Sequence, residues 1–381
     1  KDNTDDITLA NQRGFGLESN YLVSFAAFWA ANDWLAFNVG AIAGERSNNI
    51  TSEFADGSFV SLGWDALQLD IGYRPHWLSP FQESSMLMST NASSLLGATL
   101  SNTEPLSIPF LDSMKFSYEI FLNQMSESEL ILSPERDERL TGKPKLLGVH
   151  FDFELNEGMA IGFNRLMQFG GANRSSSPGD VFNAFFNTKE SENRGISGLD
   201  FGNQLSSVNT RYIFNTDNFP ISIYMEYAGE DTSKSSDIHL GNSALMFGVH
   251  LPKVTQKLDV SYELAEWQNA WYTNSNYGDG LTHHSTVLGH WAANRREFGD
   301  AVGARAQLIK ANYDIAPGRA LSVKVRTVEN KNISSIKYQS AKEIEAEYSQ
   351  AIGAFIAGGK LINGNDSFGY SYTQLSAFIR W

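Results

Sequence analysis

The stretch from Tyr262 to Phe298, YELAEWQNAWYTNSNYGDGLTHHSTVLGHWAANRREF, concentrates the side chains with which proteins hold sugars. Trp267, Trp271, Tyr272, Tyr277 and Trp291 stand among Asn, His and Arg residues. An aromatic face stacks on the C–H surface of a pyranose, while amide, imidazole and guanidinium groups bond its hydroxyls. Candidate polysaccharide-binding residues are therefore Trp267, Trp271, Tyr272, Tyr277, His290 and Arg295, with Gln168 and Asn173 of another loop as secondary members. The same rings would serve equally well as girdle or loop-core residues.

Other chemistry is weaker. His283 and His284 are adjacent, and neighbours on a strand point to opposite faces, so they and His290 make a poor metal site. Arg295-Arg296 with Glu297 and Asp300 could grip an acidic sugar through bidentate contacts, or form a solvated charge cluster. Glu343, Glu345 and Glu347, and the pair Asp152 and Glu154, alternate along strands. Same-face neighbours lie about 7 Å apart, which falls within the range of a glycosidase pair, but any acidic strand has that spacing. No Gly-x-Ser-x-Gly, phosphate loop, dinucleotide fingerprint or His-Glu-x-x-His pattern occurs. The sequence predicts no enzyme, no cofactor and no metal.

Composition sets further bounds. The 381 residues carry a net charge of −14, which argues against a nucleic-acid partner. The absence of cysteine removes thiol catalysis, disulfides and cysteine-ligated metals, and fits a bacterial exported protein. Aromatics at 12% and 32 glycines are high for an α/β enzyme. No apolar run reaches the roughly 18 residues of a membrane helix. Lys1-Asp2-Asn3-Thr4 does not open a signal peptide, so the numbering is expected to begin inside a processed or trimmed protein.

The elements that must position these residues are strands. In GVHFDFEL, Val149, Phe151, Phe153 and Leu155 alternate with His150, Asp152 and Glu154. The same two-faced pattern recurs at 21–29, 67–74, 221–227, 258–264, 321–326 and 343–348. On 21–29 the apolar face begins with Tyr21 and ends with Trp29, a reach of about 20 Å once tilted, close to the lipid band of an outer-membrane barrel. The last strand, TQLSAFIRW, places Leu375, Ala377, Ile379 and Trp381 on one face and ends on an aromatic, as closing strands of bacterial outer-membrane barrels do. Short links near Asn32-Asp33, Trp64-Asp65, Asn156–Gly158, Thr216–Asn218, Pro252–Gln256 and Ala316–Gly318 alternate with long polar ones.

The pattern predicts an all-β fold, an antiparallel transmembrane outer-membrane β-barrel of about 18 strands. It would be one domain over 1–381, with strands from about 7–19 to 381. Long extracellular loops are expected near 44–55, 123–143, 169–200, 230–240, 268–302 and 329–341. The parity requires a poorly marked descending strand near 94–101 and an ascending one before residue 19. The mixed charges then face a lumen, filled or wet. After Phe169, Ser177-Pro178-Gly179-Asp180 reads as a helix start, and Val181, Phe182, Phe185 and Phe186 give the helix an apolar surface. That short loop helix is expected to fold inward as a plug or to pack on other loops.

These blocks also carry a family resemblance. Gln168-Phe169-Gly170-Gly171, Arg174, the helix with Phe182 and Phe185, Gly202-Asn203-Gln204-Leu205 and Arg211-Tyr212 fall in a characteristic order. So do Gly72-Tyr73-Arg74 through Met88–Ala92, Glu226–Asp231, and Leu288-Gly289-His290 to Arg295-Arg296. Over residues 15–381 the chain resembles the Wzi-type capsule-assembly family of outer-membrane proteins. The resemblance implies an 18-stranded barrel acting as a surface lectin that holds capsular or other exported polysaccharide, in contact with outer-membrane lipid and lipopolysaccharide. Where relatives usually show a Trp-Gly-Pro-Gly-rich segment, this chain has Pro75–Phe81. The alternatives are a porin for sugars or small anions, and a structural subunit of an envelope assembly.

Overall fold

The computed structural model describes residues 9, 13–14, 21–46, 49–53, 56–109, 111–134, 138–186, 201–216, 219–230, 241–294, 300, 302–331 and 336–380. The alternating segments pair in chain order. The first part of the sheet is β1 (Leu22–Asn32), β2 (Leu35–Arg46), β3 (Asn49–Glu53), β4 (Phe59–Trp64), β5 (Leu67–Gly72), β6 (Leu96–Ser101), β7 (Leu106–Ile108) and β8 (Leu111–Gln124). A separate hairpin, β9 (Ser128–Leu132) and β10 (Arg139–Gly142), follows. The sheet resumes with β11 (Lys145–Asn156) and β12 (Met159–Phe169), then helix α1 (Pro178–Phe186). It continues through β13 (Gly202–Phe214), β14 (Ile221–Glu230), β15 (Ser243–Thr255) and β16 (Leu258–Trp267). Two-residue strands β17 (Thr282–His283) and β18 (Thr286–Val287) lie in the next loop. The sheet ends with β19 (Ala304–Ala316), β20 (Arg319–Asn330), β21 (Ala341–Ile352), β22 (Phe355–Asn365) and β23 (Ser371–Arg380).

All wall pairings are antiparallel. β3 and β4 both pair with β2, and β6 and β7 both pair with β8, so each couple is one interrupted wall strand. The 19-membered sheet thus supplies seventeen wall strands among the described residues, in keeping with an expected barrel of about 18. The weakly patterned descending strand is real, as β6 and β7. Its sequence, LGATLS, spends its alternation on small residues and so hides its faces.

The burial pattern is the reverse of a soluble protein's. Asp70, Glu226, Glu263, Arg326 and Glu343 are buried, whereas Met225, Leu245, Ile309, Ile344 and Leu375 on the other face are exposed. Charges inside and bare aliphatics outside are stable only where the outside is hydrocarbon. This apolar belt is the lipid-facing surface.

Inside runs residues 73–95, an irregular segment between β5 and β6. Its amides need partners, because no ladder supplies them. Inward-facing wall residues do so. Glu263 accepts from the backbone N–H groups of Gln82 (2.9 Å) and Glu83 (3.0 Å). The carbonyl of Leu78 accepts from Asn164 at 3.1 Å, and the Ser79 hydroxyl donates to Glu226 at 3.1 Å. Glu83 itself meets Lys310 at 2.6 Å and Lys324 at 2.8 Å. Burial pushes the Glu83 carboxyl up, but the two lysines outweigh it and hold it below the usual carboxylate range. Strands from β12 to β20 thus grip one segment, which is possible only if the sheet curls around it. Of the segment's apolar side chains, Leu78, Phe81, Met86, Leu87, Met88 and Leu95 are buried and Trp77 is half-buried. The barrel is filled.

Three expectations change. Residues 44–55 are largely not a loop, since β2 runs on to Arg46 and pairs with β3 as a two-strand extension of the wall. Within 7–19, Leu9 lies inside, its N–H donating to Glu343 at 3.0 Å, and the N–H groups of Arg13 and Gly14 donate to Thr90 and Asn91 at 2.8 Å. Those described residues are luminal rather than wall, and the rest of 7–19 lies outside the described set. The short helix begins where the sequence places it, at Pro178, but it does not fold inward. Asn164 faces the lumen, so Arg165, Met167 and Phe169, one residue out of phase, face outward. Ala184 and Phe185 of α1 pack on Met167 and Phe169, flanked by Leu147, Val149, Val181 and Phe201. The helix's apolar face is satisfied by the outer surface of the wall. The expected loop 230–240 and residues 187–200 lie almost wholly outside the described set.

Candidate ligand-binding site at the loop end of the barrel

Burial along the strands is graded. On β13 the pattern runs from buried at Gly202 to half-buried and exposed at Phe214, and β15, β19 and β21 grade likewise toward their short turns. The packed end is the end of the long loops, which is the outer end of such barrels. Among the described residues two loops make the surface there, the β9–β10 hairpin and residues 268–294.

The second loop is a small core in its own right. The hydroxyl of Tyr272 donates to the carbonyl of Met86 in the luminal segment and accepts from the His290 N–H at 2.8 Å. The Tyr272 N–H donates to Glu230 at 3.0 Å. Trp291 Nε1 donates to the Ser84 hydroxyl at 3.1 Å. His290 lies between the rings of Trp267 (5.2 Å) and Trp291 (5.0 Å). Burial alone lowers its pKa to about 3, so the imidazole is neutral at ordinary pH. Ala270, Tyr272, His284 and Ser285 all have positive φ, a conformation that costs a non-glycine residue energy and persists where packing over-determines it.

The hairpin docks on this core. Ile131 bridges to Tyr277, the Leu132 N–H donates to Asn276 at 2.8 Å, and the Gly278 N–H donates to Leu130 at 3.0 Å. Between the two loops lies a cavity of about 260 Å³. Its floor is Met125, Pro144, Gln168, Tyr277 and Gly280, and its rim is Ser126, Glu127, Ser128, Asp279, Thr282, His284 and Ser285. The site is pinned from both sides. Ser126 N–H donates to His283 Nδ1 at 3.0 Å, and His284 N–H donates to the Ser126 hydroxyl at 2.9 Å. Gln168 Nε2 donates to the Gly280 carbonyl at 3.2 Å, and the Tyr277 hydroxyl donates to that of Gly170 at 3.1 Å. Carboxylates, hydroxyls and an imidazole ring the opening above the buried Tyr277 and Gln168, a polar lining that can bond a polyhydroxylated ligand.

Of the residues singled out by sequence, Gln168 and Tyr277 come together at this cavity. Trp267, Trp271, Tyr272 and His290 are buried in the loop core, with at most 1% of their surface exposed, so none presents a free stacking face. Asn173 is exposed in the turn before α1, and Arg295 lies outside the described residues. The rim residues Glu127, Asp279 and Thr282 are not among those singled out by sequence, and His284 is weighed there only as a poor metal ligand. Small polar residues of an irregular loop carry no periodic signal, and only the docking of two distant loops brings them together.

Comparison with known proteins gives the same architecture. The sequence profile described as capsule assembly protein Wzi matches residues 7–358. A Klebsiella pneumoniae protein described as an uncharacterized 55.8 kDa protein in the cps region is 24% identical over 206 residues, covering 52% of this chain and 38% of that protein. The match therefore spans well under half of that relative. Among solved structures, Wzi of Escherichia coli superposes with a TM-score of 0.71 at 16% identity, covering 97% of this chain and 78% of that one. It is described as an outer-membrane protein involved in group 1 capsule assembly and as a carbohydrate-binding β-barrel. OccK5 (OpdH) of Pseudomonas aeruginosa superposes at 0.51 with 8% identity, covering 95% and 94%. At such identities the likeness is one of fold.

Proposed function

The chain belongs to the capsule assembly protein Wzi family, and from that premise we propose that it is a non-catalytic outer-membrane barrel that binds and anchors capsular or exported polysaccharide at the cell surface. The observation that carries this reading is the filled lumen. Residues 73–95 occupy the interior and are gripped by wall strands on several sides, and among the described residues a polar cavity opens at the loop end. A polymer offers many copies of one unit, so a single small cavity per barrel suffices for retention when many barrels hold one chain. Outer-membrane lipid and lipopolysaccharide surround the belt in this reading.

The test is polysaccharide binding by purified protein carrying Glu127→Ala, Asp279→Ala and His284→Ala together. Losing even one hydrogen bond to a carboxylate at about 1.5 kcal/mol predicts binding at least roughly tenfold weaker, with folding unchanged because the three are rim residues. Undiminished binding by the folded triple variant would remove this cavity from the account. One observation favours a porin for sugars or small anions instead, namely that toward the short turns the inner face, with Asp152, Glu154 and Arg211, is only half-buried.

A further inference from the structure

Helix α1 lies against the lipid-facing side of the wall, and two of its rings face away from the protein. Phe185 and Ala184 are its buried residues, whereas Phe182 is 63% and Phe186 is 69% exposed, their rings 4.6 Å apart. The wall beneath is where the apolar belt fails. On the outward faces of β12 and β13 stand Arg165, Gln204 and Ser206, where the neighbouring β11 carries Leu147 and Val149. Leu122, in the row that continues through Leu147 to Met167 and Gln204, is 47% exposed, so the bare belt reaches this height beside the helix.

α1 closes the gap. Arg165 donates to Gln204 at 2.5 Å, its guanidinium lies 4.8 Å above the Phe185 ring, and Gln204 Nε2 donates to the Ala184 carbonyl at 3.3 Å. A charged side chain facing hydrocarbon is expensive, and here the helix covers it. The polar end of the helix points elsewhere. Ser177 caps it by accepting from the Asp180 N–H at 3.3 Å, and Ser175 donates to the Asp180 carboxylate at 2.6 Å, with both serines and Asp180 exposed. One side is thus polar and wet, one side is packed on the wall, and the third is a pair of phenylalanines continuous with the belt.

We infer that α1 is a membrane-interface element whose Phe182 and Phe186 insert into the outer leaflet, completing the lipid surface over Arg165 and Gln204. Short amphipathic helices take this position with their apolar face roughly 5–10 Å into the headgroup and acyl boundary. The inference does not depend on what the outer cavity binds.

The chain has no cysteine, so single-cysteine variants report one site each. Phe182→Cys and Phe186→Cys, each labelled with bimane, are compared with Leu122→Cys on the belt and Glu129→Cys on the outer hairpin. The full chain is placed in phosphatidylcholine vesicles, half of whose lipid carries brominated acyl chains. Both helix labels should lose fluorescence to within about twofold of the Leu122 label and resist aqueous iodide, as an interfacial helix requires. Quenching as weak as at Glu129 with free access to iodide, at both helix positions, overturns the inference, whether the rings meet water or are reserved for another molecule.

Discussion

Tyr272 shows how one residue holds two elements that are distant in sequence. Its hydroxyl bonds a carbonyl of the luminal segment and an amide of its own loop, and its ring is fully buried. Tyr272→Phe keeps the packing but strands both backbone groups, so unfolding should become easier by about 1–3 kcal/mol, read as a lower denaturant midpoint. His290 makes a pH prediction. Its folded pKa of about 3 lies below the ordinary 6.5, so as pH falls from about 6.5 toward 3 the unfolded chain takes up a proton that the folded chain refuses. Stability from this group is intact above that window and is lost through it, by up to about 1.4 kcal/mol per pH unit. His290→Asn should flatten the acid side of the wild-type curve, and an unchanged slope would mean the imidazole is not desolvated. At this scale sequence left two readings open. Trp271 and Tyr272 have the composition of a sugar platform, but the same rings make a loop core, and only their partners Met86 and Glu230 tell the two apart.

At the scale of elements, alternation was legible wherever the two faces differ strongly, as in β11, β14 and β20. It faded in β6, whose Gly97 approaches Asn123 and Leu122 so closely that a Cβ would meet their atoms within 2.4 Å. Small residues there permit close strand contact and erase the pattern. The start of α1 was readable from Ser177 and Pro178, but its side of the wall was not, since an apolar face reads alike for a lumen core and a lipid-side packing. The luminal segment was the least legible element. Leu78, Phe81 and Met86–Met88 follow no period, because the segment is irregular and its contacts come from several elements: Asn164 of β12 to Leu78, Tyr224 of β14 to Phe81, and Tyr272 of the outer loop to Met86. Its backbone is served by side chains such as Glu263, which no local pattern announces.

For the molecule as a whole, an acidic chain of −14 carries many of its described charges on the inner face. Clusters such as Arg326 with Glu343 (2.5 Å) and Glu345 (2.9 Å), and Lys360 with Glu347 (3.2 Å), tie neighbouring strands across the inner face. With its interior filled, the barrel presents an apolar belt to lipid and two docked loops to the outside. The account stands or falls on that filling, because an open lumen would make the same charges the lining of a pore. The most direct measurement is single-channel conductance of the purified protein inserted in a planar bilayer. A closed barrel predicts no steady open level from demonstrably inserted protein. A large, sustained conductance would contradict it and assign the chain to transport.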